Sequence, residues 1–150
     1  KWGVVDLKDV TMTKLGAEGI SCGKMFKDKV ELGAGKVKID GLTIKQAGTK
    51  NIDLDAGTVH IINADLEKIA TNNHNVKVGG TGLIIMENTK IHGTSDTTKY
   101  SIIAEGGDVE LNNVEISDSA KSAIHINKDS SSVKGKNIVI QKAVEGITGY

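Results

Sequence analysis

The chain has 150 residues and no proline, and 38% of its residues are hydrophobic but only 3% aromatic. Its basic residues are all lysines, and they balance the acidic residues to a formal net charge of zero, which excludes a field that would attract nucleic acid or anionic lipid. A single cysteine excludes an internal disulfide, and no apolar run reaches the roughly 20 residues that a membrane span needs.

One pattern of alternating apolar residues recurs along the chain. It occupies residues 5–12, 37–44, 59–66, 84–91, 109–116 and 133–140. Successive copies begin 22 to 25 residues apart, after a first interval of 32. The inward positions of the pattern are apolar in all six copies except at Thr89 and Gly135. Alternation with a period of two predicts strands with one buried face, and repetition at this interval predicts a solenoid.

The middle of each copy is a corner between two half-strands. The corner residues are Asp9, Gly41, Asn63, Asn88, Asn113 and Asn137. Asparagine at one phase of the repeat predicts a bend in the left-handed region of backbone space. If the copies stack, these side chains also form a hydrogen-bonded ladder.

A second strand follows each copy. Its core candidates are Ile20, Ile52, Val76, Ile102, Ile124 and Ile147. Short turns are predicted between it and the next copy, among them DAGT at 55–58 and GGTGL at 79–83. Stacking also brings opposite charges together, Asp6 beside Lys38 and Glu110 beside Lys134.

The expected fold is all-β: a right-handed, single-stranded parallel β-helix of about six coils of roughly 24 residues. Three short strands and three turns make each coil, around an aliphatic core. Residues 1–150 form one β-helix segment. Both ends look uncapped, so we expect the segment to be a fragment of a longer protein.

The VxLxNVxI-type blocks, the asparagine corners, the AG and GG turns, the single cysteine and the lack of proline resemble the pertactin-like passenger domains of bacterial autotransporters. The likeness covers nearly the whole chain but is one of repeat style. It implies a virulence protein that is displayed on the bacterial surface or secreted, with a host cell-surface protein or glycan as its partner. It also implies a parent fused to a C-terminal outer-membrane β-barrel. An RGD tripeptide is missing, so integrin recognition by that motif does not carry over.

Parallel β-helices of this kind also include polysaccharide-active enzymes, so a glycoside hydrolase is the enzymatic alternative. The pectate lyases of this fold resemble one another in using a catalytic arginine, and polygalacturonase sites also include an arginine. This chain has no arginine. The candidate catalytic carboxylates are Glu31 and Asp53, aligned on adjacent coils, with Asp55 one corner further on. Stacked carboxylates approach the spacing of a retaining glycosidase pair. Solvated acids on a strand face are the simpler interpretation.

Metal and nucleophile motifs are weak in the sequence. The histidines, among them His60 and His92, fall on different coils and phases, so no metal site and no cofactor is expected. Ser, His and Asp occur without a GxSxG elbow, so nucleophilic catalysis is not predicted. Cys22 is expected to be a buried, inert thiol.

The long first interval holds the most distinctive local feature. Its excess over the usual period fits CGKMFKDK, residues 22–29. Inserted loops on rigid solenoids commonly carry binding function, and here Lys24, Lys27 and Lys29 surround Phe26. These four residues are the candidate binding site for an acidic or glycan surface. The alternative is that Phe26 covers an edge of the core while the lysines keep the loop soluble.

The leading hypothesis is therefore a non-enzymatic segment that binds a host cell surface or receptor. The alternatives are the polysaccharide hydrolase and a structural stalk that carries another module.

Overall fold

A computed structural model of the chain describes residues 3–22, 35–69 and 72–149. The described residues form strands, turns and bends, with no helix among them. The ten strands are β1 (Val4–Thr13), β2 (Ile20–Cys22), β3 (Lys36–Lys45), β4 (Ile52–Leu66), β5 (Val76–His92), β6 (Ile102–Glu105), β7 (Asp108–Ser117), β8 (Ser122–Ile126), β9 (Ser132–Gln141) and β10 (Glu145–Gly149).

The repeated pattern forms one stack of parallel strands, because each copy pairs with the same positions of the next. The stack runs from β1 through β3, the second parts of β4 and β5, and β7 to β9. Val5 is in register with Val37, Val37 with Val59, and Val59 with Ile84. Between Lys36 and Ser132 the chain makes about four turns of a parallel solenoid. The predicted all-β solenoid is thus confirmed.

The second strand of each copy forms a second face, where Ile20 pairs with Ile52 and Ile52 with Val76. The predicted turns at 55–58 and 79–83 are wrong, because β4 and β5 continue through them from the second face to the first. The chain bends inside these strands at Gly57 and Gly80, which have φ angles of 92° and 54°. On the third side, among the described residues, pairing is limited to an isolated bridge between Ile69 and Thr94, and the third short strand predicted for each coil does not form.

The core is aliphatic, as predicted. Ile39, Ile61 and Met86 follow one another in an inward column, and each is almost completely buried. Thr89, one exception to the pattern, is also buried, and its hydroxyl donates to the carbonyl of Glu87 at 3.0 Å. At Gly135, the other exception, a Cβ would lie 2.9 Å from a side-chain carbon of Ile138. The space left by the glycine is therefore used by Ile138.

The corner residues adopt the predicted left-handed conformation. Asn63, Asn88, Asn113 and Asn137 have φ angles of 56°, 49°, 55° and 54°. Their side chains form the predicted ladder, because the Asn88 amide donates to Asn63 Oδ1 at 3.3 Å and the Asn113 amide donates to Asn88 Oδ1 at 2.8 Å. The Asn63 amide extends the ladder to Asp40 Oδ1 at 2.7 Å.

Among the described residues, β1 pairs only with β3, and β10 only with β8. Their inward residues are accordingly exposed: Leu7 at 39% and Ile147 at 62%. Ile147 is in register with Ile124, as predicted, but its place on the last strand keeps it out of the core. The predicted charge pairs are in place, with Asp6 in register with Lys38 and Lys134 Nζ 3.7 Å from Glu110 Oε1.

Candidate functional site

The predicted catalytic carboxylates lie on the second face. The neighbour of Asp53 on the preceding strand is Ser21, and Glu31 lies outside the described residues. Asp53 is 5% exposed and forms an ion pair with Lys50 at 3.1 Å. Asp55 lies at the bend and packs against the backbone of Gly79 and Gly80, where added Cβ atoms would meet its oxygen atoms at 2.9 and 2.2 Å. The structure therefore places Asp53 in an ion pair and Asp55 in a tight backbone contact, and the strand pairing brings no second carboxylate beside Asp53.

The predicted binding loop also lies outside the described residues, since Lys24, Phe26, Lys27 and Lys29 all fall between 23 and 34. Its role stays a prediction. Cys22, at the start of this interval, is partly buried, and burial raises the pKa of its thiol. A raised pKa reduces the thiolate fraction, which agrees with the expected inert thiol.

Three aromatic rings stack along the solenoid axis near the second face. The ring of Tyr100 lies between His74, at a centroid distance of 5.4 Å, and His125, at 4.1 Å. Lys121 Nζ donates to the Tyr100 hydroxyl at 2.8 Å. Lys121 Nζ also lies 4.5 Å from the ring centroid, so the phenol ring is already packed by three side chains of this chain. The column ties three coils together.

His74 is held neutral within this column. The Tyr100 backbone amide donates to His74 Nδ1 at 3.0 Å, which requires an unprotonated nitrogen there. Burial, with a smaller contribution from the nearby Lys99 charge, lowers the pKa of His74 to about 4. The histidine acts here as a hydrogen-bond acceptor rather than as a cation.

The described surface has a groove at the ends of β3, β4, β5 and β7, where the chain turns away from the stack of repeated strands. We call it the corner groove. It has a volume of about 390 Å³. Its lining residues come from four successive coils: Thr43, Ile44, Lys45, Asp65, Glu67, Lys68, His92 and Asp118. Charged side chains therefore dominate a concave surface, and Ile44 is the single aliphatic residue among them.

The backbone beneath the corner groove is fixed by two buried asparagines. Asn51 and Asn75 are fully buried, and the Asn51 amide donates to Asn75 Oδ1 at 2.8 Å. Both asparagines also donate to the carbonyl of Glu67, and Asn75 donates to the carbonyl of His92. These bonds give hydrogen-bond donors to backbone carbonyls at the ends of β4 and β5, where the strand pairing stops. The groove thus rests on a rigid base.

A hydrogen bond orients one carboxylate of the groove, and a close contact with a histidine orients the other. Glu67 Oε2 accepts from the Gln46 backbone amide at 2.6 Å. Gln46 follows the end of β3 and has a left-handed φ of 55°. Asp65 Oδ1 lies 3.1 Å from His92 Nε2. In the described parts of the chain, the second oxygen of each carboxylate has no hydrogen-bond partner, which leaves it open to a ligand.

His92 is the centre of a chain of three side chains from three coils. Its Nε2 faces Asp65 Oδ1 at 3.1 Å, and its Nδ1 faces the Ser117 hydroxyl at 3.4 Å. A carboxylate beside Nε2 favours the tautomer that carries the proton on Nε2. In that tautomer, Nδ1 accepts the hydrogen bond from the Ser117 hydroxyl.

The sequence analysis missed both the corner groove and this chain of side chains. Asp65, His92 and Ser117 lie on three different coils, so a local motif such as GxSxG does not detect them. The usable signal is the phase of the repeat, because aligning the ends of the copies places His92 next to Ser117 in register. In the described residues, no group of three or more His, Cys, Asp and Glu side chains is arranged to hold a metal ion. The same residues contain no helix with the length and apolarity for crossing a membrane.

Comparisons with protein-family models, with curated proteins and with solved structures return no match.

Proposed function

We propose that the chain is a binding segment of a bacterial protein that is exported to the cell surface or secreted, and that its partner is a host cell-surface protein or glycan. In the complete segment, the strands form a right-handed β-helix of six coils. Residues 22–29, most of which lie outside the described part of the chain, are the candidate for a second contact surface. The resemblance of the repeats to autotransporter passengers supports export, and the corner groove supports binding.

The corner groove is the observation that carries the proposal. Glu67 holds one oxygen in a hydrogen bond with the Gln46 backbone amide, and Asp65 places one oxygen 3.1 Å from His92 Nε2. Within the described parts of the chain, Lys45 and Lys68 form no ion pair, so their ammonium groups can donate to a ligand. Carboxylates accept from hydroxyl or amide groups and ammonium groups donate to them, so this mixed surface suits a hydroxyl-rich glycan or a polar protein surface.

The rigidity of the groove favours binding as well. Its residues are attached to paired strands, and the buried asparagines hold the corner carbonyls. A surface that is ordered before binding loses little conformational entropy on association. The groove therefore serves a ligand without a closing loop.

The test is the binding of the fluorescently labelled 150-residue polypeptide to cultured host cells. The proposal expects saturable binding that falls at least about tenfold in Asp65→Asn/Lys68→Ala, because two polar contacts of about 1 kcal/mol each are lost. A matched control, Glu110→Gln/Lys134→Ala, removes an acid and a lysine from another surface and should leave binding unchanged. Prior treatment of the cells with glycosidases or with proteases separates a glycan from a protein partner. Unsaturable binding of the wild type, or equal losses in the two variants, would overturn the proposal.

A further inference from the structure

We propose that Ser117 is a nucleophile for acyl transfer, with His92 as its general base and Asp65 as the positioning residue, and that the corner groove holds an ester of a polar alcohol. This activity is separate from the proposed binding function, because a binding segment requires no reactive serine.

The geometry follows the logic of an activated nucleophile. A serine hydroxyl is a weak nucleophile until a neighbouring base takes its proton, and the base must be oriented by a third group. Ser117 Oγ lies 3.4 Å from His92 Nδ1, slightly beyond the reach of about 2.6–3.2 Å that proton transfer needs, so the pair must tighten when substrate binds. Asp65 Oδ1, at 3.1 Å from Nε2, favours the tautomer that leaves Nδ1 unprotonated.

Other contacts hold the two reactive side chains in place. Ser117 is in register with His92 between β5 and β7, and the Gly93 amide donates to the Ser117 carbonyl at 2.7 Å. The Asn75 side chain binds the carbonyl of His92. The reactive pair therefore sits on paired strands, with its backbone bound on both coils.

The reaction needs only the ester and water. Ser117 Oγ forms a bond to the acyl carbon while its proton moves to His92 Nδ1. The bond from the acyl carbon to the alcohol oxygen then breaks, and His92 returns the proton to the leaving alcohol. Water attacks the acyl-serine by the same route, gives its proton to His92, and releases the carboxylic acid as Ser117 takes the proton back.

The groove defines the class of ester. Asp65, His92 and Asp118 connect the reactive pair with the groove lining, in which Ile44 is the single aliphatic side chain. Its volume of about 390 Å³ limits the acyl group to a short chain, and its carboxylates and lysines match a polyhydroxylated alcohol. The substrate class is thus a short-chain acyl ester of a sugar or similar polyol.

The rate should be modest. The Asp118 amide, next to the nucleophile, already donates to the Gln141 carbonyl at 3.2 Å, so it does not face a developing oxyanion. Lys45 and Lys68 are the cations of the groove that can approach it. A positioned base alone contributes about 10²- to 10⁴-fold, and each absent oxyanion donor forgoes about 10²- to 10³-fold. Covalent labelling is therefore a sharper test than turnover.

The experiment treats the 150-residue polypeptide with a tagged fluorophosphonate, in which a serine oxygen displaces fluoride from phosphorus, and locates the label by peptide mass spectrometry. We expect label on Ser117, at a rate at least about 100-fold above that of any other serine. Ser117→Ala and His92→Gln should lose it. Ser132→Ala is the matched control, because Ser132 donates to a carboxylate, Asp108, at 2.6 Å without an imidazole beside it.

Asp65→Asn tests the positioning role through the rate of labelling. Asp65→Asn should lower the rate of labelling at Ser117, while the urea midpoint stays near the wild-type value. Asp65→Glu, which keeps a carboxylate, should restore part of that rate. Label spread over several serines, or absent from Ser117 in the folded wild type, would overturn the proposal. Ser117→Ala should lose the label and still bind cells. Failure of the nucleophile proposal can therefore be told apart from failure of the binding proposal.

Discussion

Replacing Ile61 by alanine should destabilise the solenoid far more than the same change at the equivalent position of the first coil. Ile61 is fully buried between Ile39 and Met86 of the neighbouring coils. Truncation removes three carbon groups, a transfer loss of about 2.4 kcal/mol at about 0.8 kcal/mol for each. The cavity left between two coils adds to this, so the total should be about 3–4 kcal/mol.

Leu7 provides the matched comparison because it occupies the same column at the end of the stack. It pairs with Ile39 on one side only and is 39% exposed. Scaling the transfer loss by its buried fraction gives about 1.5 kcal/mol. Water fills the space left by Leu7→Ala, so no closed cavity adds to that cost.

Urea unfolding followed by far-ultraviolet circular dichroism measures both free energies. A solenoid loses cooperativity when its middle is weakened, so Ile61→Ala should also broaden the transition, whereas Leu7→Ala should only shift it. Equal losses of stability in the two variants would refute the stacked column, because the two positions would then have the same burial.

Three further outcomes follow from the corners and the aromatic column. Asn88→Ala should cost about 1–2 kcal/mol in urea unfolding from its left-handed conformation alone (φ 49°), and Asn88→Gly should cost less; a reversed order would contradict the corner geometry. Gly80→Ala should cost more than about 2 kcal/mol, because its Cβ would lie 2.2 Å from the Asp55 carbonyl oxygen at a φ of 54°; Gly146→Ala, where a Cβ meets nothing within 4 Å, is the control. The pKa of His74 is lowered from 6.5 to about 4, so the folded state binds fewer protons than the unfolded state in that window. Stability is therefore complete above pH 6.5 and falls as the pH drops towards 4, and His74→Gln should remove this part of the pH dependence of the urea midpoint; an unchanged dependence would contradict a buried neutral His74.

The stacking was predictable from the sequence because it depends on repetition. Inward positions such as Ile39 and Ile61 recur at one phase, and so do the corner asparagines such as Asn63 and Asn88. A single coil cannot bury its own apolar face, so the repeat pattern itself requires stacking. The strand faces, the left-handed corners and the side-chain ladder all follow from that requirement.

The bends and the end of the stack were harder to predict. Glycines at 57 and 80 indicate turns, yet the strands pass through them. Gly57 stays in register with Gly82, and Gly80 lies at a register shift between the two paired strands. Ile147 fits the core pattern but is 62% exposed, because burial depends on neighbouring coils as well as on the local pattern.

The corner groove was not predictable from the sequence. Asp65, His92 and Ser117 lie on three separate coils, and they come into contact because these coils stack in register. The buried Asn51 and Asn75 were missed for a similar reason, since polar residues next to a strand usually indicate an exposed turn. Here they face corner carbonyls in the interior.

The central claim is that residues one coil apart in the sequence are neighbours in space, and disulfide trapping tests it most directly. Lys90 is in register with Glu115, and Glu115 with Val139. With Cys22 replaced by serine, cysteines at 90 and 115 should form a disulfide under mild oxidation, because their Cα atoms are about 4.8 Å apart. Cysteines at 90 and 139, two coils apart at about 9.6 Å, should remain reduced. A disulfide between 90 and 139, or none between 90 and 115, would contradict the stacked solenoid.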